Sequence, residues 1–427
     1  MKIKIGILFG GISNERNVSL NSARSVFDHL SNVGNTEISL IFVNKKEAFY
    51  KIEPRYIYSS SSSDFDFKID KIATKIALSK IKNECDIVLP ILHGAFGEDG
   101  TIQKILKYHK INFIGSDEKS CEKMFYKTAA IDIMRKNEIN VFDSIVIHKN
   151  DSIEKSVLKI NNFLKQNGKV IIKPDNSGSS IDVFASNDVK EIIDFIKNHD
   201  YKTFLIEKFC KKGTEFTVSV LEKENNPIAL VPSSVALKKG DIYDYSKKYL
   251  PTETVMVSQP SIFNLQTIEK IQKEAIKIFK IFGAKDFLRI DGFYENGEIF
   301  FTDLNPICGM EQNGFFFQQI SFIGISHRNA ILNLMRMKMQ KAEPEAKIDR
   351  KKVFVMMGGQ SNEKNISILS GINIFLKLQK SAKYTPKAFF IDSKNKVYSL
   401  PDYILLNHTA YEIEHAIKNH INEKTKI

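Results

Sequence analysis

The chain opens with an apolar run over residues 3–9, closed by Gly10-Gly11 and followed by Val18, Ala23, Val26, Phe27 and Leu30 at helical spacing. A short apolar run bounded by glycine reads as a buried strand and a 3.6-residue period as an amphipathic helix, so residues 3–30 predict a β-turn-α unit. Strands at 38–43 and 86–92 and a helix over Thr101–Tyr108 continue the alternation, with 59–63 reading as a loose serine loop. Such alternation predicts a parallel α/β sheet.

After Gly115-Ser116 the pattern changes. A helix over Lys127–Lys136 precedes strands at Ser144–His148 and 170–173, interrupted by the small-residue loop 174–180. Residues 203–233 are strand-rich, 239–258 polar and turn-like, and Leu265–Phe282 an amphipathic helix before strands at 287–294 and 299–304. These elements predict an α+β region. Residues 341–352 are charged, contain Pro344 and read as a linker.

Beyond that linker the chain repeats its own beginning. Ile5-Gly-Ile-Leu-Phe-Gly-Gly-Ile-Ser-Asn-Glu-Arg-Asn-Val-Ser19 is echoed by Val353-Phe-Val-Met-Met-Gly-Gly-Gln-Ser-Asn-Glu-Lys-Asn-Ile-Ser367, and Ala48-Phe-Tyr50 by Lys396-Val-Tyr398. The equivalent of 86–93 is missing, so the tail reads as an incomplete copy, either a packing module or the start of a second full unit. The organisation expected is 1–116, an N-terminal α/β substrate domain; 117–205 and 206–340, two α+β subdomains; 341–352, the linker; and 353–427, the partial repeat.

Composition narrows the class without choosing a function. With 43% hydrophobic and 26% charged residues the chain is a folded globular protein. Its formal net charge of +12 comes mostly from dispersed lysine, with no basic block and no lysine-aromatic platform, so a solvated surface is expected rather than a nucleic-acid face. Cys85, Cys121, Cys210 and Cys308 stand far apart, which fits reduced thiols better than a disulfide framework or zinc ribbon. The N-terminus lacks a signal-like apolar region and no run is long enough to span a membrane, so a cytoplasmic protein is expected.

The chemistry lies in three places. The common phosphate-loop, dinucleotide and nucleophile-elbow motifs are absent. Leu92-His-Gly-Ala-Phe-Gly-Glu-Asp-Gly100 places His93 at the carboxyl end of a strand, where α/β sheets bind ligands. Lys173 ends a strand before Pro174-Asp-Asn-Ser-Gly-Ser-Ser180, whose N–H groups and hydroxyls suit phosphate. Arg289 and Asp291, and Asp303 and Asn305, are each two residues apart on strands, so each pair shares a face; two carboxylates and an amide oxygen are the donors Mg²⁺ prefers.

Over residues 4 to about 310 these motifs resemble the ATP-grasp carboxylate-amine ligases and, within them, the D-alanine-D-alanine ligases. Phe9 to Ser19, Leu92 to Gly100, Lys173-Pro with Gly178-Ser-Ser180, Glu207-Lys208, Glu215-Phe-Thr217, Tyr243 to Tyr249, Arg289-Ile-Asp291 and Asp303-Leu-Asn305 carry the likeness. The resemblance implies a pre-ATP-grasp domain followed by a two-subdomain ATP-grasp fold. It implies ATP with Lys127 and Lys173 on its phosphates, Glu207 by the adenine and Glu215 on the ribose, and two Mg²⁺ ions, with Mn²⁺ as a substitute, on Asp291, Asp303 and Asn305. Arg289 and the backbone near Gly309 would stabilise the tetrahedral intermediate, and His93 would lie near the reacting carboxylate. Glu15 would receive the first D-alanine's ammonium in a hydrogen-bonded set with Ser179 and Tyr249, while Lys248 and Tyr249 would sit on a closing loop. The implied reaction makes D-alanyl-D-alanine for peptidoglycan precursors through an acyl phosphate, in a homodimer without nucleic-acid or membrane partners.

The sequence departs from that pattern in places. Tyr249 favours an amine acceptor, but Gly314 and Phe315 stand where a serine and a leucine normally receive the second substrate's carboxylate. Asp303 replaces the usual glutamate, and Phe125-Tyr126 the usual Met-Asp. A ligase using another amino-acid acceptor, and an inactive nucleotide-binding relative, remain the alternatives.

Overall fold

The computed structural model describes residues 3–31, 36–178, 181–223, 226–237, 255–339, 350–379, 381 and 383–420. β1 (Ile3–Gly10), β2 (Thr36–Val43), β3 (Phe49–Ile52), β4 (Ala73–Lys75) and β5 (Ile87–Pro90) form a sheet in the order β4-β3-β2-β1-β5. β1 pairs parallel with β2 and β5, but β3 and β4 run antiparallel at one edge, so the sheet is mixed rather than all parallel. A tight turn causes the reversal: Asn44 Oδ1 accepts the N–H groups of Lys46 and Ala48, and so short a connection returns the strand antiparallel.

The serine run is not a loose loop. Ser61 caps the helix Ser62–Ile72, its hydroxyl accepting the Asp64 N–H while the Asp64 carboxylate accepts the Ser61 N–H. That reciprocal box satisfies donors the first turn would otherwise leave open. Phe65 of this helix stacks on Phe42 with ring centroids 5.0 Å apart.

β6 (Ser144–His148), β7 (Val170–Pro174), β8 (Phe184–Ser186) and β9 (Thr203–Lys208) form an antiparallel sheet ordered β6-β9-β7-β8. The helices Ile153–Asn167 and Val189–Asn198 back it through Ile160, Phe163, Ile192 and Ile196. The border expected between 205 and 206 falls inside β9, whose pairing with β7 continues to Lys208.

The largest sheet joins β10 (Thr214–Lys223), β11 (Asn226–Ala229), β12 (Ser233–Leu237), β13 (Val255–Ser258), β14 (Phe287–Glu295) and β15 (Glu298–Asn305) in the order β13-β12-β10-β14-β15, with β11 beside β10. β13 corrects the turn-like reading of 255–258, since Val257 is buried against Val235 of β12; residues 238–254 lie outside the described residues. The helix Leu265–Phe282 covers this sheet, capped by Asn264 at one end and by left-handed Gly283 at the other. The helix Lys127–Lys136 buries Ala130, Ile131 and Met134 in the same core, although it precedes the second sheet in sequence.

The core of the first sheet extends into the segment after β15. Phe316 and Phe317 of the helix Phe315–Phe322 and Ile331 and Leu334 of the helix His327–Met339 join Leu20, Ala23 and Val26 of the helix Arg16–Leu30. Ser22 Oγ accepts the Met310 N–H at 3.1 Å, so residues beyond β15 are held against the first helix.

β16 (Lys351–Gly358), β17 (Tyr384–Ile391) and β18 (Val397–Leu400) form a three-stranded sheet, β16 parallel to β17 and β17 antiparallel to β18. The senses match those of β1, β2 and β3. Gly10 and Gly358 both sit at positive φ, +95° and +94°, where a β-carbon would strike the carbonyl oxygens of Val43 and Ile391 respectively. Ser19 and Ser367 accept the N–H groups of these glycines. The helices Lys364–Gln379, Asp402–Leu405 and Ala410–His420 enclose a separate core with this sheet, including Ile368, Phe375, Phe390 and Ile413. The strand starts at Lys351, so the last two residues of the expected linker are structured; 340–349 lie outside the described residues. Among the described residues no helix is long and apolar enough to cross a membrane, and all four cysteines are free thiols.

Candidate active site

The sheets meet around one cavity of about 640 Å³. On the side of the second sheet, Lys173 at the end of β7 is buried, with Nζ 2.8 Å from Glu207 Oε2 and 3.5 Å from Asp303 Oδ2. Burial works against its charge, but Asp303, Glu207 and Glu215 together hold the ammonium above the ordinary lysine value. Lys127 reaches the same carboxylate, Nζ lying 3.5 Å from Asp303 Oδ1 and donating to the Ser177 carbonyl at 2.5 Å. The start of its helix is fixed by the loop after β7, where the Asp175 carbonyl and carboxylate accept the N–H groups of Lys127 and Thr128. Two lysines from different elements therefore converge on Asp303.

The strand register aligns the next group. Arg289 lies opposite Asn305 and Asp291 opposite Asp303, so all four occupy one face of β14 and β15. Arg289 donates from Nε and Nη2 to the two oxygens of Asp291 at 3.1 and 3.0 Å. Thr217 Oγ1 donates to Asp291 Oδ1 at 2.6 Å and Asn305 Nδ2 to Asp291 Oδ2 at 3.1 Å. Two carboxylates and an amide side by side, facing a cavity with two lysines above them, suit a hard divalent cation bridging phosphate oxygens.

The first sheet supplies the opposite wall. Glu15 immediately precedes the helix Arg16–Leu30, and its carboxylate is wedged between two glycines. A β-carbon would come within 2.5 Å of Glu15 Oε2 at Gly178 and 2.8 Å at Gly94. Ser13 Oγ accepts the Glu15 N–H and donates to the His93 carbonyl at 2.6 Å, tying the start of the helix to the end of β5. His93 is buried, its Nδ1 4.0 Å from Glu98 Oε1. Burial opposes the imidazolium, but Glu98, with Glu311 and Glu15 beyond it, raises His93 above its ordinary value. Glu98 is itself fixed, accepting the Gly94 N–H at 2.8 Å.

Of the residues singled out in the sequence, Glu15, His93, Lys127, Glu215, Arg289, Asp291, Asp303, Asn305 and Gly309 line this cavity. Lys173 is ion-paired both with Asp303 of that lining and with Glu207, which connects Glu207 to the site through Lys173. Ser179, Lys248 and Tyr249 lie outside the described residues. Sequence reasoning passed over Glu98, although it sits inside the His93 motif, and the bond from Thr217, which shares a face of β10 with Glu215. It also passed over a whole wall: Leu369, Asn373, Lys377, His408 and Glu412 of the C-terminal module line the same cavity. A contact between residues nearly a hundred positions apart leaves no local signal.

A family model described as D-ala D-ala ligase N-terminus matches residues 4–116, and one described as D-ala D-ala ligase C-terminus matches 133–336. The chain is 31% identical over 341 residues to the D-alanine-D-alanine ligase of Buchnera aphidicola subsp. Schizaphis graminum, covering 79% of this chain and 99% of that one. It is 28% identical over 324 residues to the corresponding ligase of Finegoldia magna, covering 74% and 89%. Among solved structures it matches the VanG D-Ala:D-Ser ligase of Enterococcus faecalis at a TM-score of 0.67 and 26% identity, covering 79% and 100%. The fold also matches the D-alanine-D-alanine ligase of Coxiella burnetii at a TM-score of 0.68 and 20% identity, covering 79% and 94%. The module of β16–β18 lies beyond both family-model matches.

Proposed function

The chain belongs to the D-alanine-D-alanine ligase family, and from that premise we propose that it joins two D-alanine molecules to D-alanyl-D-alanine, converting ATP to ADP and phosphate. One observation carries the reading: a carboxylate suited to an ammonium, Glu15, opens on the same cavity as the Asp291, Asp303 and Asn305 face. An amino acid bound at Glu15 therefore shares one cavity with the groups that suit nucleotide phosphates.

In this reading the donor carboxylate takes the γ-phosphoryl group of ATP. The acceptor amine then forms a bond to the acyl carbon, phosphate departs with the bonding electron pair, and the amine loses a proton. Lys127 and Lys173 neutralise the phosphates as point charges, while Glu207 and Glu215 hold the adenine and ribose. Arg289 and the backbone at Gly309 stabilise charge at the tetrahedral carbon, and His93 stands beside the reacting carboxylate. Ser179 and Tyr249 complete the hydrogen-bonded set with Glu15, and Lys248 belongs to the closing loop. Asp291, Asp303 and Asn305 suit two Mg²⁺ ions, or Mn²⁺ in their place; such ions neutralise phosphate charge and polarise the transferring group.

The organisation proposed with it has an N-terminal substrate domain, two ATP-grasp subdomains and an incomplete copy of the first domain over 353–427. The enzyme is a cytoplasmic homodimer serving peptidoglycan precursor synthesis. Residue 314 favours a second reading, in which the acceptor is another amino acid, because glycine offers no hydroxyl there. Release of ADP and phosphate by the full-length protein, with Mg-ATP and a panel of D-amino and D-hydroxy acids, decides between the readings when product masses are recorded. D-alanine-dependent release with the dipeptide mass supports the first, turnover only with another acceptor the second, and no turnover with any pair refutes both.

A further inference from the structure

The module that lies beyond the family-matched stretches forms one wall of the cavity, and that wall contains a donor pair. Asn313 Nδ2 and His408 Nδ1 are 3.5 Å apart, one on the segment after β15 and the other on the turn before the helix Ala410–His420. Both side chains line the cavity. An amide nitrogen can only donate, so this contact uses Nδ1 as the acceptor and leaves Nε2 as the ring nitrogen that can offer an N–H of its own.

The surroundings hold this pair in place. Gln318 Nε2 donates to the Asn313 and Leu406 carbonyls at 3.1 and 3.3 Å, stapling the module's turn to the start of the helix Phe315–Phe322. Glu412 Oε2 accepts the N–H groups of His408 and Thr409 at 2.9 and 3.0 Å, which fixes the backbone carrying the imidazole. Residue 314 has no side-chain donor: it is glycine, its N–H is already given to the Glu311 carbonyl at 2.9 Å, and a β-carbon there would lie 3.0 Å from Glu311 Oε2 and from the Gly309 carbonyl. Asp291, Asp303 and Lys173 serve nucleotide and phosphate chemistry, Arg289 serves the tetrahedral carbon, and Glu15 repels carboxylates. Glu311 and Glu412 also line the Asn313 end, but Glu412 Oε2 is already engaged by the His408 and Thr409 N–H groups, and the Asn313 amide and His408 imidazole are the donors an acceptor's carboxylate meets there.

Resting on the ligase reading, we propose that His408 of the C-terminal module, together with Asn313, binds the acceptor carboxylate and sets which acceptor is used. His408 touches the substrate but takes no part in proton transfer, so its loss weakens acceptor binding and leaves the chemistry intact.

The test uses full-length wild type, His408→Ala, His408→Gln and, as a control outside the cavity lining, Tyr411→Ala, a residue that is 56% exposed. ADP formation is followed while the acceptor is varied at saturating donor and ATP. His408→Ala raises the acceptor KM about tenfold or more, with kcat, donor KM and ATP KM within about twofold; His408→Gln, which keeps an N–H donor, recovers most of the loss, and Tyr411→Ala changes nothing. An unchanged acceptor KM in His408→Ala, or a parallel rise in all three constants, overturns the proposal. Wild type that makes no ADP with any acceptor overturns the ligase reading and this inference with it. Thermal melts of each variant separate lost binding from lost folding.

Discussion

Glu15 Oε2 occupies the space that the β-carbon of any residue larger than glycine at 178 would need, at a separation of 2.5 Å. The atom displaced is the far end of a flexible side chain, so Gly178→Ala moves the carboxylate rather than the backbone. Stability stays within about 0.5 kcal/mol of wild type. Turnover falls about ten- to a hundredfold, because an ammonium misplaced by an ångström loses its alignment for reaction. Steady-state kinetics beside a denaturant melt check this; a variant that melts early but reacts normally contradicts it.

Lys173 and Glu207 are buried together with Nζ and Oε2 2.8 Å apart. Lys173→Met therefore leaves a carboxylate without its counter-charge and destabilises the protein by about 3–5 kcal/mol. Adding Glu207→Gln removes the stranded charge and recovers most of the stability, while ATP turnover stays lost. Urea unfolding of the single and double variants gives the two values; equal stability in both is the outcome that defeats the argument.

His93 yields a pH dependence of definite sign. Its value in the folded chain is raised, since Glu98 outweighs the effect of burial. The charged ring accordingly contributes stability that is fully present below the unfolded value of about 6.5 and is lost as pH rises through the folded one. The stability gap between wild type and His93→Gln is largest near pH 6 and shrinks toward pH 9. Chemical melts across that range measure it, and a gap widening with pH reverses the assignment.

Gly358→Ala places a side chain at φ +94° and against the Ile391 carbonyl. Conformational strain alone amounts to about 1–2 kcal/mol, and the close approach adds to it. Because the module has its own core, the damage stays local. Amide exchange accelerates over 351–420 and remains slow in β1, β2 and β5; Gly10→Ala produces the converse pattern. Uniform acceleration in either variant shows that the two sheets unfold together.

Regular periodicity made some elements legible. Leu265–Phe282 and Thr101–Tyr108 match their sequence-based bounds, the former because Asn264 and Gly283 mark both ends of an apolar stripe. That Arg289 shares a face with Asp291, and Asp303 with Asn305, followed from the two-residue period; that both pairs lie on one face came from the cross-strand register. The Ser61 capping box was hidden by the neighbouring serines, and β13 by the polar stretch before it. The packing of Lys127–Lys136 on the largest sheet and the cavity wall at His408 are tertiary facts, decided by surfaces that meet only after the elements have formed.

A cavity lined from Glu15 to Glu412 also has a history in time. The chain emerges from the ribosome with the Glu15 wall first, then the lysines and carboxylates, and last the turn that carries His408. At about 5–20 residues per second, that final wall trails the segment around Gly314 by roughly 5–20 seconds. During that interval every group that suits ATP is already made, while the side of the cavity facing Asn313 stands open to water.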